Sequence, residues 1–535
     1  MELLEPIRGG GVTAEIKKNS FCISGMNAYV PKWFRWIPKC FGNTEDNNDP
    51  YDVVKLDLSS VNWGDTEYRG LYFLPQYETE RIMEEALVEE GGKVDYGISL
   101  ELLEQGDGVV TTTLRNTNTD ITETVVSRWV LGADGGRSKT RELIGSQLTR
   151  HRSDLYFVIA DVVLKGDDIP LSSHAPGKGG HVFPAGPLAF LPLPGENAYR
   201  LAGRAPAGIR SKDDATLDEK FFRDFLFERT GKKFELELGK WQSVFEITHG
   251  QTDCYRKGNV MLAGDASHVH SPIGGQGMNL GMQDANNLLW KLAWAKRILE
   301  AGADDDSSDN DEKESSSSSS EAAVDTILET YHTERHSLGM DLVRSVEFGT
   351  NMISVDNLVV NFLKNEMIRM VLPSKTAKQN FRKMGQLDLS YPPSSSSLVI
   401  ENRAWTASYI CSPGQRLPNI RLEDGSHLLS HIDRFQHTWV FLNEKDERTT
   451  EGGTSPPPSA LAMLSFLRGA KVVHVVTSAV GEQVSVPVIS EAAYKAPQVL
   501  LVRPDQFVAG VGTGIEPLVD ELKRAGLSET ALATM

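Results

Sequence analysis

The segment formed by residues 258–294 carries residue types suited to holding a charged cofactor. An apolar strand at residues 260–263 runs into Gly264-Asp265, and a glycine-rich turn then opens a long helix near Gly277. An aspartate at the end of a strand can accept hydrogen bonds from ribose or ribityl hydroxyls. Glycines at a helix N-terminus let the backbone approach a ligand where unpaired N–H groups favour negative charge. This pattern predicts a site for an anionic or electron-rich ligand.

The same turn has a simpler explanation, a tight connection between strand and helix in which Asp265 caps the turn. That explanation is sufficient for Gly-Asp-Ala alone, but the longer run fits a flavin site better. A reduced flavin carries negative charge near N1 and the C2 carbonyl, and each donor preset against such charge contributes about 2.7–4 kcal/mol. The further residues that support this interpretation are Pro272, Gly274, Gly275, Asn279, Gly281 and Asp284.

A second strand and turn lie at residues 130–141. The strand ends in Asp134-Gly135, a turn that Ser138 and Arg141 could hold through hydrogen bonds. Taken alone, this segment fits a structural corner and a cofactor contact equally well.

A third segment, residues 74–80, contains Gln76 and the start of a helix. Thr79 is the predicted N-cap, because threonine side chains accept hydrogen bonds from the first free amides of a helix. By itself this segment indicates only where a helix begins.

Together the three segments resemble those of the FAD-dependent aromatic hydroxylases, the class of phenol hydroxylase and p-hydroxybenzoate hydroxylase. The resemblance implies that Asp265 binds the FAD ribose or ribityl chain and that Pro272 borders the isoalloxazine ring. It also implies that the backbone of residues 275–278 faces the pyrimidine edge of that ring. The residues that the resemblance assigns to the cofactor are Gln76, Asp134, Gly135, Ser138, Arg141, Gly264, Asp265, Pro272, Gly274, Gly275, Gly277, Met278 and Asn279.

The activity implied by the resemblance is hydroxylation of a small aromatic molecule, phenolic or polyketide-like, with O2 and NAD(P)H. In such enzymes the nicotinamide visits only transiently, so the sequence does not distinguish NADPH from NADH. No motif identifies the catalytic base. The candidate substrate positions are His181, Phe183, Leu191 and Leu193.

The implied fold is a multidomain combination of α/β and α+β parts: a Rossmann-like, truncated FAD-binding domain, an inserted substrate-binding β-sheet and a C-terminal thioredoxin-like domain. Residues 1–150 and 251–300 are predicted to form the FAD-binding domain, interrupted by the substrate sheet at 151–250. The acidic, serine-rich residues 301–321 are predicted to be disordered, since they cannot bury a core. Residues 322–395 are predicted to be helical and residues 396–535 to be thioredoxin-like.

The thioredoxin-like prediction depends on residues 413–418 and 500–505, which resemble the C-terminal domain of phenol hydroxylase relatives. The chain has 4 cysteines and no Cys-x-x-Cys pair. Because thiol–disulfide exchange requires two neighbouring thiols, no redox role is expected for this domain. The resemblance also implies a homodimer formed through it.

A complete family member opens with a strand, a GxGxxG turn, a helix and an acidic residue on the adenine ribose. Residues 9–11 are a bare glycine triplet, which we interpret as a loop without a preceding strand or a following apolar helix. The expectation is therefore a chain that starts late, with impaired activity. The alternatives are a non-catalytic remnant, a partner-binding protein of the same fold, or a reductase or epoxidase.

The composition argues against several other classes of function. The net charge of −18 and pI near 5.2 disfavour binding to nucleic acid or to an anionic membrane. The scattered cysteines disfavour a secreted disulfide scaffold, and no apolar run is long enough to span a bilayer. His268 and His270 lack the further ligands of a metal site. A cytoplasmic enzyme acting on a small molecule is predicted.

Overall fold

The computed structural model defines the fold over most of the chain. The residues it describes are 1–32, 50–61, 63, 66–166, 171, 179–271, 275–303, 310–354, 358–371, 374, 386, 389–392, 394, 396, 398–399, 412–417, 419, 427–444, 471–477 and 498–512. The helices are α1 Gly11–Asn19, α2 Gln76–Glu89, α3 Lys139–Leu143, α4 Glu219–Thr230, α5 Gly277–Ala303, α6 Asn310–Ser354 and α7 Leu358–Val371.

Within the described ranges, twenty strands form five sheets. In chain order they are β1 Phe21–Ile23, β2 Gly25–Pro31, β3 Tyr51–Asp57, β4 Leu71–Phe73, β5 Ile98–Gly106, β6 Val109–Asn116, β7 Thr122–Ser127, β8 Val130–Gly132, β9 Leu148–Lys165, β10 Gly180–Phe183, β11 Leu188–Pro192, β12 Ala198–Arg204, β13 Glu235–Thr252, β14 Arg256–Lys257, β15 Val260–Leu262, β16 His268–Val269, β17 Thr438–Glu444, β18 Lys471–Thr477, β19 Gln498–Val502 and β20 Val508–Gly512.

The largest sheet has eight strands in the order β16-β13-β9-β12-β11-β10-β2-β3. Its centre is the long antiparallel pair β9 and β13, with register from Glu235↔Lys165 to Thr252↔Leu148. Along β12 buried and partly exposed side chains alternate, as expected for a strand with one covered face. The covering element is α4, which buries Phe222, Phe225 and Leu226 against this sheet.

A small three-stranded sheet brings two distant parts of the chain together. β8 and β15 pair in parallel, with Val130 opposite Val260 and Gly132 opposite Leu262. β14 adds to the other side of β15. The carboxyl ends of parallel strands meet at one edge of a sheet, so the turns after β8 and β15 emerge side by side.

Helices α5 and α6 pack on each other behind this small sheet. Tyr331 of α6 is fully buried and donates its hydroxyl to the carbonyl of Leu262 at 2.6 Å. The segment from β17 to β20 forms a further sheet in which β17 pairs in parallel with β18 and antiparallel with β19. This mixed sheet lies within residues 396–535, the segment predicted to be thioredoxin-like. The thioredoxin-like assignment itself stays a prediction.

A buried cluster of charged side chains joins this last sheet to α5 and α6. Glu334 accepts hydrogen bonds from both terminal nitrogens of Arg503, at 2.6 and 2.8 Å, and from Lys291 Nζ at 2.8 Å. Arg503 also donates to Asp505. Burial lowers the pKa of Lys291 to about 8 against the opposing charge of Glu334. Burial would raise the pKa of Glu334, but Arg503 and Lys291 hold it below its ordinary value.

Three local predictions are corrected. α2 begins at Gln76, because the carbonyl of Pro75 already accepts the amide of Thr79 at 3.2 Å; Thr79 therefore lies inside the first turn and is not the N-cap. The glycine triplet is not a plain loop, since Gly11 starts α1, whose Val12 and Ile16 are buried against α2. Those two apolar residues suffice for a short amphipathic helix.

The predicted disorder of residues 301–321 also differs from the structure, which continues α5 to Ala303 and starts α6 at Asn310. Residues 304–309 lie outside the described part of the chain. Extending an existing helix by a turn or more costs little compared with starting one, and serine and glutamate are compatible with a helix.

We predict that Glu334→Gln destabilises the protein by about 3–5 kcal/mol, because it leaves two buried cations without their shared counter-charge. Glu329→Gln on the same helix is the matched control. Glu329 is half exposed and pairs with Arg256 at 3.2 Å, so its loss is expected to cost less than about 1 kcal/mol. Urea unfolding of both variants measures the difference, and equal losses would contradict the assigned role of Glu334.

Candidate cofactor site

The turns after β8 and β15 are held together by one arginine. Arg141 is 7% exposed and donates from Nη1 to the carbonyl of Ala266 and from Nη2 to that of Gly136, both at 2.8 Å. The two carbonyls belong to the two different turns. The structure therefore brings the second predicted segment against the first, and Arg141 links them from within rather than facing outward.

Asp134 is engaged inside its own turn. One carboxylate oxygen accepts the hydroxyl of Ser138, and the other accepts the amide and hydroxyl of Thr140 at 2.9 and 3.0 Å. Burial would raise the pKa of Asp134, but these hydrogen bonds outweigh it and keep the pKa below its ordinary value. Ser138 in turn caps α3 by accepting the amide of Arg141.

These contacts leave Gly135 as the open member of that turn. Its φ is +81°. Apart from the two adjacent residues in the chain, no described atom lies within 4 Å of the position that a Cβ would occupy. Ser138 and Arg141 are buried whereas Asp134 is exposed, so a ligand at this turn would meet the backbone of Gly135 and the carboxylate of Asp134 before the other two side chains. A direct cofactor contact by those three side chains stays a prediction.

The turn after β15 lies unusually close to α5. Gly264 has φ +59°, and a Cβ at Gly281 would sit 3.3 Å from the Cα of Gly264. The two glycines let the helix and the turn touch backbone to backbone. This contact sets the distance between the carboxylate of Asp265 and the first amides of α5.

Asp284 fixes that arrangement from below. It is fully buried and accepts the amide of Gly264 at 3.0 Å, Nε2 of His268 at 2.7 Å and Nε of Arg335 at 2.8 Å. Burial would raise its pKa, but the charges of Arg335 and His268 lower it below the ordinary value. Because a carboxylate only accepts, Nε2 of His268 carries a proton.

The outer surface of the turn and helix start remains accessible. Asp265 is exposed and accepts no hydrogen bond within the described part of the chain, and Met278 is 50% exposed. Gly275 has φ +62° with no described atom near its Cβ position. Asn279 makes only a 3.5 Å contact to the carbonyl of Gly275. Gly277 is the first residue of α5.

Two buried polar atoms beside this surface have no hydrogen-bond partner among the described residues. They are Oε1 of Gln276 and Nε2 of His270. Buried polar atoms are nearly always paired, so atoms of this kind indicate where a ligand or water completes the structure. Sequence reasoning considered His270 only as a metal ligand and did not assign Gln276 a side-chain role, because nothing in the spacing of either residue indicates an unpaired atom.

Gln76 and two glycine-turn residues complete the predicted set. Gln76 is exposed and donates to Glu80 at 2.8 Å within α2. Met282 of α5 packs against the apolar cluster that α2 shares with α1, so Gln76 lies on an element adjacent to the helix start. Pro272 and Gly274 lie outside the described residues.

Three of the four candidate substrate positions lie on β10 and β11 of the large sheet, and Leu193 follows the end of β11. Phe183 is 1% exposed and stacks on Tyr29 with ring centroids 4.3 Å apart, inside the core cluster of that sheet. His181 is buried with Nδ1 3.0 Å from the hydroxyl of Tyr29. Leu193 is buried and Leu191 partly exposed. Their packing accounts for these side chains, and a substrate role stays a prediction.

No group of three or more His, Cys, Asp or Glu side chains is placed to hold a metal ion within the described part of the chain. Among the same residues, no helix combines the length and the apolar character needed to cross a bilayer.

Comparison with known proteins gives consistent matches. The model of the FAD binding domain family matches residues 2–308. The chain is 31% identical over 310 residues to 6-methylpretetramide 4-monooxygenase of Streptomyces rimosus, covering 57% of this chain and 49% of that protein. It is 32% identical over 307 residues to pentachlorophenol 4-monooxygenase of Sphingobium chlorophenolicum, again covering 57% of this chain and 49% of that protein.

The fold is similar to that of OxyS anhydrotetracycline hydroxylase from Streptomyces rimosus, with a TM-score of 0.63, 24% identity, and 98% of this chain and 88% of that chain covered. This likeness and the several α/β sheets confirm the predicted multidomain fold class. The chain spans about half the length of the two curated relatives named above.

We predict that His181 makes stability depend on pH. Burial lowers the pKa of His181 to about 4. Its imidazole therefore stays neutral in the folded chain between pH 6.5 and 4, whereas in the unfolded chain it binds a proton below pH 6.5. Stability is therefore lost as the pH falls from 6.5 to 4, by at most about 3 kcal/mol from this residue. In His181→Gln this loss should be smaller by that amount, measured by urea unfolding across the window. His151→Gln, at an exposed position, is the control; identical slopes for the wild type and His181→Gln would refute the prediction.

Proposed function

The chain belongs to the family of FAD-dependent aromatic hydroxylases, and from this membership we propose that it is a monooxygenase that hydroxylates a phenolic or polyketide-like aromatic molecule. The observation that carries the proposal is the accessible start of α5 at Gly275 and Gly277, on the helix whose Gly281 contacts Gly264, the residue before the exposed Asp265. Relatives named as monooxygenases of a pretetramide and of pentachlorophenol support the substrate class.

The residues present suit FAD. Asp265 would accept hydrogen bonds from ribityl or ribose hydroxyls, and the free amides at the start of α5 would donate to the pyrimidine edge of the flavin. Met278 offers a half-exposed apolar side chain beside them. The positive end of a helix of 27 residues favours the negative charge of a reduced flavin. The unpaired Oε1 of Gln276 marks a further contact at this place.

Bound FAD would supply the redox chemistry, accepting a hydride from NADPH or NADH and activating O2. The balanced reaction is RH + O2 + NAD(P)H + H⁺ → ROH + H2O + NAD(P)⁺. The task of the protein is to orient the aromatic ring, exclude water and deliver the proton. The buried α5–α6 contact holds the amides in place before the cofactor arrives, so that little reorganisation accompanies binding.

The remaining assignments are part of the same proposal. Residues 151–250 would cover the substrate, with the large sheet as their framework, and residues 396–535 would form a thioredoxin-like domain without redox function. A homodimer through that domain and a cytoplasmic location fit a small-molecule enzyme of this kind. O2 and the nicotinamide act as co-substrates, not as resident groups.

The proposal predicts that the purified chain takes up FAD with the visible absorption of an oxidised flavin. Asp265→Ala should weaken FAD binding by about tenfold or more, because a hydrogen bond to a charged group contributes about 1.5–3 kcal/mol. Asp213→Ala, also exposed but on the loop before α4, is the control and should bind FAD like the wild type. A folded chain that takes up no FAD would favour the non-catalytic alternative.

A second prediction tests the backbone contact. Gly281→Ala puts a methyl group 3.3 Å from the Cα of Gly264, which should push the turn from α5 and lower FAD affinity at least severalfold. Gly349→Ala in α6 meets no described atom and is expected to be neutral or stabilising by up to about 1 kcal/mol. Isothermal titration with FAD compares the two variants. Unchanged affinity in Gly281→Ala would show that the contact does not shape the site.

A further inference from the structure

Three histidines form a row across the edge of the large sheet. His151 of β9 lies directly opposite His249 of β13 in the antiparallel register. On the other side of β13, Gly250 pairs with Val269, so His270 comes next to His249 one step further along. Directly opposed residues in antiparallel strands place their side chains on the same face. The three imidazoles therefore follow one another across the strands.

The row passes from solvent into the interior. His151 is exposed, with Nδ1 3.4 Å from Oε1 of Glu347 on α6. His249 is 1% exposed, and neither of its ring nitrogens has a hydrogen-bond partner among the described residues. His270 is partly buried. Buried imidazole nitrogens without partners are unusual, and two of them on one side chain indicate a group that exchanges partners or binds water on both sides.

The inner end of the row has a defined tautomer. Nδ1 of His270 lies 2.8 Å from the carbonyl of Ser271, and because a carbonyl only accepts, Nδ1 carries the proton. Nε2 of the neutral ring then presents a lone pair, and it is buried without a partner in the described structure. A Cβ at Gly277 would sit 3.5 Å from this nitrogen. The free base therefore lies against the first residue of α5, where the cofactor would bind.

The charges around the row favour neutral rings. Burial lowers the pKa of His249, as do His270 and His151, while Glu347 raises it. Burial also lowers the pKa of His270, and so does His268, whereas the Ser271 carbonyl and Asp265 raise it. A neutral imidazole has one N–H and one lone pair, so His249, whose two nitrogens are both unpaired among the described residues, can accept a proton on one nitrogen and release one from the other. His270, whose Nδ1 proton is held by the Ser271 carbonyl, would accept and release the proton at Nε2.

The proposed reaction consumes one proton in every turnover, and the site that uses it must keep bulk water out. We propose that His151, His249 and His270 carry this proton from solvent to the start of α5, with ordered water bridging the gaps between the rings. This inference depends on the proposed function, because it presumes that FAD occupies the start of α5. His249 is the central residue of the path, since it lies between His151 and His270.

The test separates proton delivery from FAD binding and from catalysis. The bound FAD is first reduced and excess reductant is removed, and the protein is then mixed rapidly with O2 in weak buffer containing a pH indicator. Reoxidation follows FADH⁻ + O2 + H⁺ → FAD + H2O2, so the return of flavin colour and the uptake of the proton can be timed independently. In the wild type the two should coincide. In His249→Leu proton uptake should lag flavin reoxidation at least tenfold, and added imidazole should restore it.

His336→Leu on α6 is the control, because His336 bonds the carbonyl of Thr252 outside the row, and both signals should still coincide. If His249→Leu does not fold, His151→Leu at the exposed end should show the same lag in milder form. Coincident signals in FAD-loaded His249→Leu or, in its place, His151→Leu would overturn the proton path while leaving the proposed function intact. Failure of the wild type to take up FAD would instead overturn the proposed function and the path with it.

Discussion

The carboxylate of Asp284 is the constraint on which the candidate site depends. It accepts hydrogen bonds from the turn after β15, from β16 and from α6, although it lies on α5 and is fully buried. A buried carboxylate is tolerated only when its charge and its lone pairs are compensated. Arg335 supplies the charge, and the amide of Gly264 and His268 fill the remaining positions. Moving any of these elements would leave a charge unpaired, so the geometry around Asp265 is held firmly.

The same logic extends along the buried face of α5. Asp284, Asn287 and Lys291 recur at helical spacing and face the interior, where an apolar stripe would be usual. Glu334 follows the pattern from α6 and binds Arg503 beyond β19. Two acids and two bases balance within this second cluster. The turn after β15 and the sheet formed by β17 to β20 are therefore connected through polar contacts. Such contacts fix relative positions more strictly than an apolar interface does.

These buried contacts explain what could be predicted from the sequence and what could not. The strand predicted at residues 260–263 and the long helix predicted to open near Gly277 correspond to β15 and α5, because the first is an uninterrupted apolar run and the second has apolar residues at helical spacing. The parallel pairing of β8 with β15 could not be predicted, since the paired residues Val130 and Val260 are 130 positions apart in the chain and no local signal encodes the pairing. Lys291 and Glu334 carry the residue types of solvated helix faces, so their burial depends wholly on tertiary structure.

Under the proposed function, affinity for the cofactor and selectivity among substrates depend on different parts of the fold. Ser138 and Arg141 are buried and make their hydrogen bonds inside the fold, so the surface at the turns consists of backbone together with the exposed Asp134, Asp265 and Met278. Backbone donors recognise features that every oxidised or reduced flavin shares. They cannot distinguish one aromatic substrate from another. Under the proposed function, discrimination among substrates would come from side chains on the large sheet, where a substitution would not disturb the contact between Gly264 and Gly281.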